Sequence, residues 1–250
     1  MDFQDLEKMA LYKNYLFRCF SFENQIYVFW EKQNKQLTNL PYIYYSSYSP
    51  ELRMHLNKLW YNNFCFFSAF DWIVKDASKL YVVYKFLNPN TFSSSFVKKY
   101  NQRLKQSFIY TKSPFLWKTL KHFYVLYRSF FQDKKKDFHS YDYFENLFYI
   151  FWDLLSFWEV SIDWETLASV ILLRYQRKII PLFWWYKGIY IKEGLKYFFN
   201  ISLIEYYKND ESIDEIIFWS WVDPRDQTDS LFQFKKKFGT VYSLKEELCF

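Results

Sequence analysis

The stretch Asn146-Leu-Phe-Tyr-Ile-Phe-Trp-Asp-Leu-Leu-Ser-Phe-Trp158 is the most apolar in the chain, and Asp163-Trp-Glu-Thr-Leu-Ala-Ser-Val-Ile-Leu-Leu-Arg174 follows it closely. A helix that crosses a bilayer needs about 20 largely apolar residues. The first stretch has 13, is broken by Asp153, and is flanked by Glu145 and Glu159. It therefore reads as part of a buried core helix over about 142–158. Asp163 reads as the N-cap of a shorter helix to about Arg174.

Working outward, Ser113-Pro114 marks another helix start. Trp117, Leu120, Tyr124, Tyr127 and Phe131 follow at three- and four-residue steps and share one helix face. Ser49-Pro50-Glu51 opens a helix to about Asp71, and residues 3–19 read as a helix with early acids and later bases. Strands are expected at Gln25–Trp30, Tyr42–Tyr45 and Lys79–Phe86, which are aromatic and β-branched. Ile216–Trp221 suits a short helix or a strand, and Asp223-Pro224-Arg225-Asp226 a turn. The expected fold is α+β and predominantly helical, with an aromatic-rich core and a few short strands in the N-terminal half. Residues 1–250 read as a single domain, with the weakest join at 132–140.

The composition carries a second message. Of 250 residues, 30 are Phe, 24 Tyr and 11 Trp, which excludes a disordered chain. Three Gly exclude collagen, and three scattered Cys (Cys19, Cys65, Cys249) give no disulfide scaffold. Mean hydropathy is −0.30, which argues against a polytopic membrane protein. Lys greatly outnumbers Arg, and residues with G/C-rich codons are scarce, as in a very A/T-rich genome. The 11 Trp fit a code in which UGA also encodes Trp. The start, Met1-Asp2-Phe3-Gln4-Asp5-Leu6-Glu7, lacks the features of a transit or signal peptide. In these respects the chain resembles proteins encoded in ciliate mitochondrial genomes, a resemblance of composition with no motif behind it. It implies a mitochondrial matrix protein made inside the organelle.

Charge is uneven. Residues 97–138 hold 11 basic and 2 acidic side chains, whereas residues 139–166 hold six acids and no Lys or Arg. The basic block comprises Lys98, Lys99, Arg103, Lys105, Lys112, Lys118, Lys121, Arg128, Lys134, Lys135 and Lys136. Concentrated positive charge suits contact with a phosphate backbone. It equally suits solvated helix faces, an acidic protein or an anionic lipid surface.

Motifs for chemistry are missing. His55, His122 and His139 are isolated, and no CxxC pair, P-loop, GxGxxG or GxSxG occurs, so no metal, cofactor or small-molecule substrate is expected. Asp223, Asp226 and Asp229 lack the Gly and Glu of a calcium loop and read as a solvated turn. The expectation is a non-catalytic constituent of a mitochondrial ribosome. Its basic block would contact rRNA, and its aromatic surfaces would pack on other ribosomal proteins, with no transmembrane segment. The alternatives are a matrix-facing accessory subunit of a respiratory-chain complex and an isolated soluble enzyme.

Overall fold

A computed structural model describes residues 16–22, 25–31, 36–39, 50–59, 64–70, 79–87, 98, 109–114, 116–151, 154–175, 177–190, 194–223, 225 and 227–249. Contacts divide the chain into two compact units. One comprises Met1–Tyr81, Ser220–Phe232 and Val241–Phe250, and the other Val82–Trp219 and Gln233–Thr240.

In the first unit, β1 (Leu16–Phe22) and β2 (Gln25–Glu31) form an antiparallel hairpin, with Leu16 opposite Glu31 and Phe22 opposite Gln25. Strand β3 (Leu37–Asn39) pairs antiparallel with β2 and parallel with β4 (Phe64–Phe70). Helix α1 (Pro50–Lys58) buries Leu52 and Leu56, one turn apart on a single face. The expected helix over 3–19 is corrected for its last residues, since 16–19 lie in β1, while 3–15 lie outside the described residues. The helix from Ser49 to Asp71 ends at Lys58 and gives way to β4. The expected strand Tyr42–Tyr45 lies outside the described residues.

The second unit is built on antiparallel strands β6 (Ile109–Pro114), β7 (Leu155–Ile162), β8 (Glu165–Tyr175) and β9 (Lys178–Tyr186). Strand β10 (Glu215–Val222) continues the order beside β9, and β5 (Lys79–Lys85) stands beside β10. Val82, Val83 and Tyr84 of β5 are buried in succession, as in a strand covered on both faces. Gly239 lies against it so closely that a Cβ there would sit 2.3 Å from the Val83 carbonyl oxygen.

Two layers of helix cover the sheet of this unit. Helix α2 (Trp117–Asp133) buries Leu120, Phe123 and Tyr127, and α3 (Tyr141–Phe151) buries Phe144 and Leu147. Phe123 meets Phe157 of β7 at 5.4 Å between ring centroids, and Phe144 meets Phe183 of β9 at 5.1 Å. Helix α4 (Leu195–Tyr207) covers the other face and buries Leu195, Phe198, Phe199, Ile201, Leu203, Ile204 and Tyr207. The short helix α5 (Ser230–Lys235) and β11 (Thr240–Cys249) complete the described elements.

The predominantly helical expectation is therefore corrected: eleven strands are described, and the longest lie in the C-terminal half. The decisive misreading is at 155–174. Residues 155–158 leave helix α3 behind and belong to β7, and the expected helix from Asp163 is β8. Asp163 and Trp164 form the two-residue turn between them, with φ of 47° and 68°. Asp is common at helix N-caps and also tolerates the left-handed turn conformation. Leu167–Leu173 is buried throughout because helices cover both sides of the sheet, so the alternation that marks a strand is lost. Ser113-Pro114 ends β6 rather than opening a helix. Helix α2 instead starts after Leu116, whose amide and carbonyl both bond the Thr119 hydroxyl, at 3.1 and 2.7 Å.

Candidate active site

The end of β9 is where chemistry-bearing side chains collect in the second unit. Strands β9 and β10 run parallel, and their described register covers two pairs at the strand starts, Glu215 with Lys178 and Ile216 with Ile179. Beyond those pairs β9 runs on to Tyr186, and the chain returns in α4. Gly194 precedes that helix with φ of 86°, a conformation that costs Gly little and other residues more. Carboxyl ends of strands beside a helix start are common ligand positions in open sheets.

On the α2 side, strand pairing sets four polar residues in one row. Thr111 of β6 lies opposite Glu159 of β7, Glu159 opposite Ser169 of β8, and Ser169 opposite Trp185 of β9. Residues directly opposite in a ladder point to the same face. Phe157, two residues from Glu159, packs on Phe123, so this face is the one beneath α2. Ser169 is fully buried and Trp185 nearly so, and neither the Ser169 hydroxyl nor the Trp185 indole N–H closes a hydrogen bond among the described residues. Glu159 is half-buried, and burial pushes its carboxyl above the usual glutamate range. His122 of α2 and the facing Ser169 hydroxyl oppose that rise without cancelling it. The row thus holds a carboxyl with raised proton affinity, a buried hydroxyl that faces it, and a buried indole N–H that closes no hydrogen bond among the described residues.

On the α4 side, Tyr186 is buried, and burial pushes its phenol far above the usual range despite a hydrogen bond with Asn200. The Asn200 amide also donates to the Lys196 carbonyl at 2.7 Å. Lys196 lies in the first turn of α4 with its Nζ 5.7 Å from the Tyr186 ring centroid, and burial lowers its proton affinity. Lys134, at the end of α2, is lowered first by burial and then by the neighbouring charges of Lys196 and Lys136. The Lys134 ammonium is thus coupled to that of Lys196, in the first turn of α4, and to that of Lys136, just past α2. Such a cluster repels itself and is relieved by an anion.

Of the eleven expected cations, those among the described residues are spread over β6, α2 and the residues after it. Lys99, Arg103 and Lys105 lie outside the described residues, and Lys98 is exposed. Lys118, Lys121 and Arg128 are exposed along α2. Lys112 faces the far end of α4, its Nζ 5.3 Å from the Tyr207 ring, beside Arg174 and the Asp210 carboxylate. Lys134, Lys135 and Lys136 lie at the end of α2, with Lys135 at φ of 52°. Among these three, Lys134 is coupled to Lys196, and Lys136 to Lys134. Sequence reasoning missed Glu159, Ser169, Trp185, Tyr186 and Lys196. The available signal was Glu159 itself, a lone acid inside the apolar run from Leu155 to Val160. Among the described residues no group of three metal-binding side chains occurs, and no helix is long and apolar enough to cross a membrane.

No family model matches the chain, and no curated protein does. Solved structures do. FemX superposes with a TM-score of 0.70 at 11% identity, over 96% of this chain and 89% of that one. L-PGS from Bacillus licheniformis gives 0.62 at 11% identity, over 99% and 91%. The C-terminal domain of a provisionally named lysylphosphatidylglycerol synthetase from Agrobacterium fabrum gives 0.62 at 7% identity, over 98% and 90%. At these identities the likeness is one of fold.

That fold likeness, spanning nearly the whole chain, overturns the expectation of a ribosomal constituent bound to rRNA and ribosomal proteins. The expectations of no catalysis and no small-molecule substrate fall with it. Both rested on missing motifs. One Gly at φ of 86° is what this site uses at its turn, and the remaining groups come from strands separated in sequence, where no short motif forms.

Proposed function

We propose that the chain is a transferase of activated acyl or aminoacyl groups, with its reacting centre at the end of β9. The polar row Glu159–Ser169–Trp185 carries this reading, because it sets a base beside two donors within a fold shared with FemX and L-PGS. A lysylphosphatidylglycerol synthetase, by its name, makes a lysyl derivative of a lipid, which requires transfer of an activated lysyl group.

The chemistry follows from the side chains. Glu159 takes the proton of an acceptor amine or hydroxyl as that atom attacks the acyl carbonyl carbon. The raised proton affinity of Glu159 brings it nearer to working pH, where a base is most effective. The Trp185 N–H and Ser169 O–H donate to the carbonyl oxygen as negative charge builds there. The new bond to carbon forms, the bond from carbon to the carrier breaks, and the electron pair leaves with the carrier. Lys134, Lys136 and Lys196 hold the phosphates of a carrier such as a nucleotide thioester or an aminoacylated RNA end.

Incubation of the purified protein with acyl-CoA or aminoacyl-tRNA donors, with lipid and amine acceptors, tests this by mass spectrometry of the products. Transfer from one donor class is expected. Intact donors throughout the panel would defeat the reading. The organellar origin drawn from composition is a separate proposal, supported by the Trp content and the A/T-rich residue bias.

A further inference from the structure

We propose that the end of the second unit bearing the β7–β8 turn rests on a lipid bilayer, with Trp164 as its interfacial anchor. Trp164 is fully exposed, at 101% of its reference area, and its φ is 68°. Its turn partner Asp163 has φ of 47°, so the pair forms a primed turn in which the second position ordinarily favours Gly. A bulky residue there is strained and hides no apolar surface, so neither local geometry nor the core accounts for it.

Two further exposed aliphatics lie at the same sheet end. Ile109, at 60% exposure, begins β6 opposite Ser161, next to the turn. Ile189, at 68%, sits in the 3-10 turn Gly188–Tyr190 after β9. That turn is tied to β8 by the Lys187 amide donating to the Leu167 carbonyl at 2.7 Å, and by the Lys187–Glu165 ion pair. Trp164 in the β7–β8 turn, Ile189 in the turn after β9 and Ile109 at the start of β6 are therefore all exposed at one end of the sheet. Convex tips of this kind suit a deformable planar surface, and Trp favours the depth of lipid headgroups.

The charges select the lipid. Lys134, Lys135 and Lys136 stand at this same end, where α2 finishes over β9, and Lys196 is close to Lys134. The acids there are Asp133, Asp137, Asp163 and Glu165, and Glu165 is neutralised by Lys187. Among the described residues that leaves four lysines against three acids, and each lysine near the surface adds attraction to anionic headgroups that salt screens. The inference stands on the tips and not on the transfer chemistry. A protein without transferase activity would show the same docking.

Flotation with vesicles of phosphatidylcholine, with and without phosphatidylglycerol, is the test. Wild type should float with the mixed vesicles, and less with phosphatidylcholine alone. Trp164→Gly should lower the partition coefficient by roughly tenfold, since it removes a large apolar side chain. The same variant suits φ of 68° and should melt no lower than wild type, which separates lost docking from lost folding. Ile189→Asp should weaken flotation as well. Wild type staying with the soluble fraction, or Trp164→Gly floating as well as wild type, would overturn the inference. Docking that ignores phosphatidylglycerol would overturn its anionic selectivity.

Discussion

Glu159 and Ser169 stand directly opposite each other on β7 and β8, a carboxyl and a buried hydroxyl facing α2 from the middle of an otherwise apolar sheet. Burial makes the ionised form of Glu159 the costly one. A carboxyl whose folded proton affinity is raised stabilises the fold below its ordinary range. That contribution is lost as pH rises through the raised value. Glu159→Gln, which cannot ionise, should therefore melt higher than wild type at neutral pH, and the gap should close toward pH 4. Thermal melts followed by circular dichroism across that range would check it.

The lysine cluster should respond to anions. Lys134 is repelled by both Lys196 and Lys136 in the free protein, so pyrophosphate should raise Tm. At roughly 100 times Kd the rise should be about 5–10 °C. Lys134→Ala combined with Lys196→Ala should remove most of that rise and leave the free protein no less stable. Differential scanning fluorimetry with and without pyrophosphate measures both effects.

The three glycines are not equivalent. A Cβ at Gly239 would lie 2.3 Å from the Val83 oxygen and 2.6 Å from its carbon, so β5 would have to move. Gly239→Ala should cost about 1–3 kcal/mol. Nothing lies within 4 Å of a Cβ at Gly188, and Gly188→Ala should stay within about 0.5 kcal/mol of wild type. Guanidinium melts of the two variants give the contrast directly.

The proposed origin has its own check. If UGA is read as Trp, the coding sequence should carry in-frame UGA at several of the 11 Trp positions. A coding sequence with UGG at every one would remove the main support for an organellar code.

Some of this molecule was legible in its residues. Gln25–Glu31 and Lys79–Lys85 are strands because aromatic and β-branched residues fill them, and the sequence pattern says so. Helix α2 was expected, but its buried stripe is Leu120, Phe123 and Tyr127, with Tyr124 half-buried beside it. Strand β8 was hidden because seven consecutive buried residues, Leu167–Leu173, look alike in a helix and in a doubly covered strand. The site was hidden for a different reason. Glu159, Ser169 and Trp185 become neighbours through strand register, and Lys134 and Lys196 through the meeting of two helix ends. Neither relation leaves a fixed spacing along the chain. Lys134 and Lys136 were recognised as cations, but their proposed partner changed from an RNA backbone to the phosphates of an acyl carrier.

The pH dependence of acyl transfer by wild type and Glu159→Gln, measured with whichever donor proves active, bears most directly on the proposed chemistry. Wild-type rates should rise with pH as the Glu159 carboxyl ionises, and the variant should lose that limb and fall by roughly 100-fold or more. A variant that transfers at the wild-type rate with the same pH profile would remove Glu159, and the row it belongs to, from the reaction.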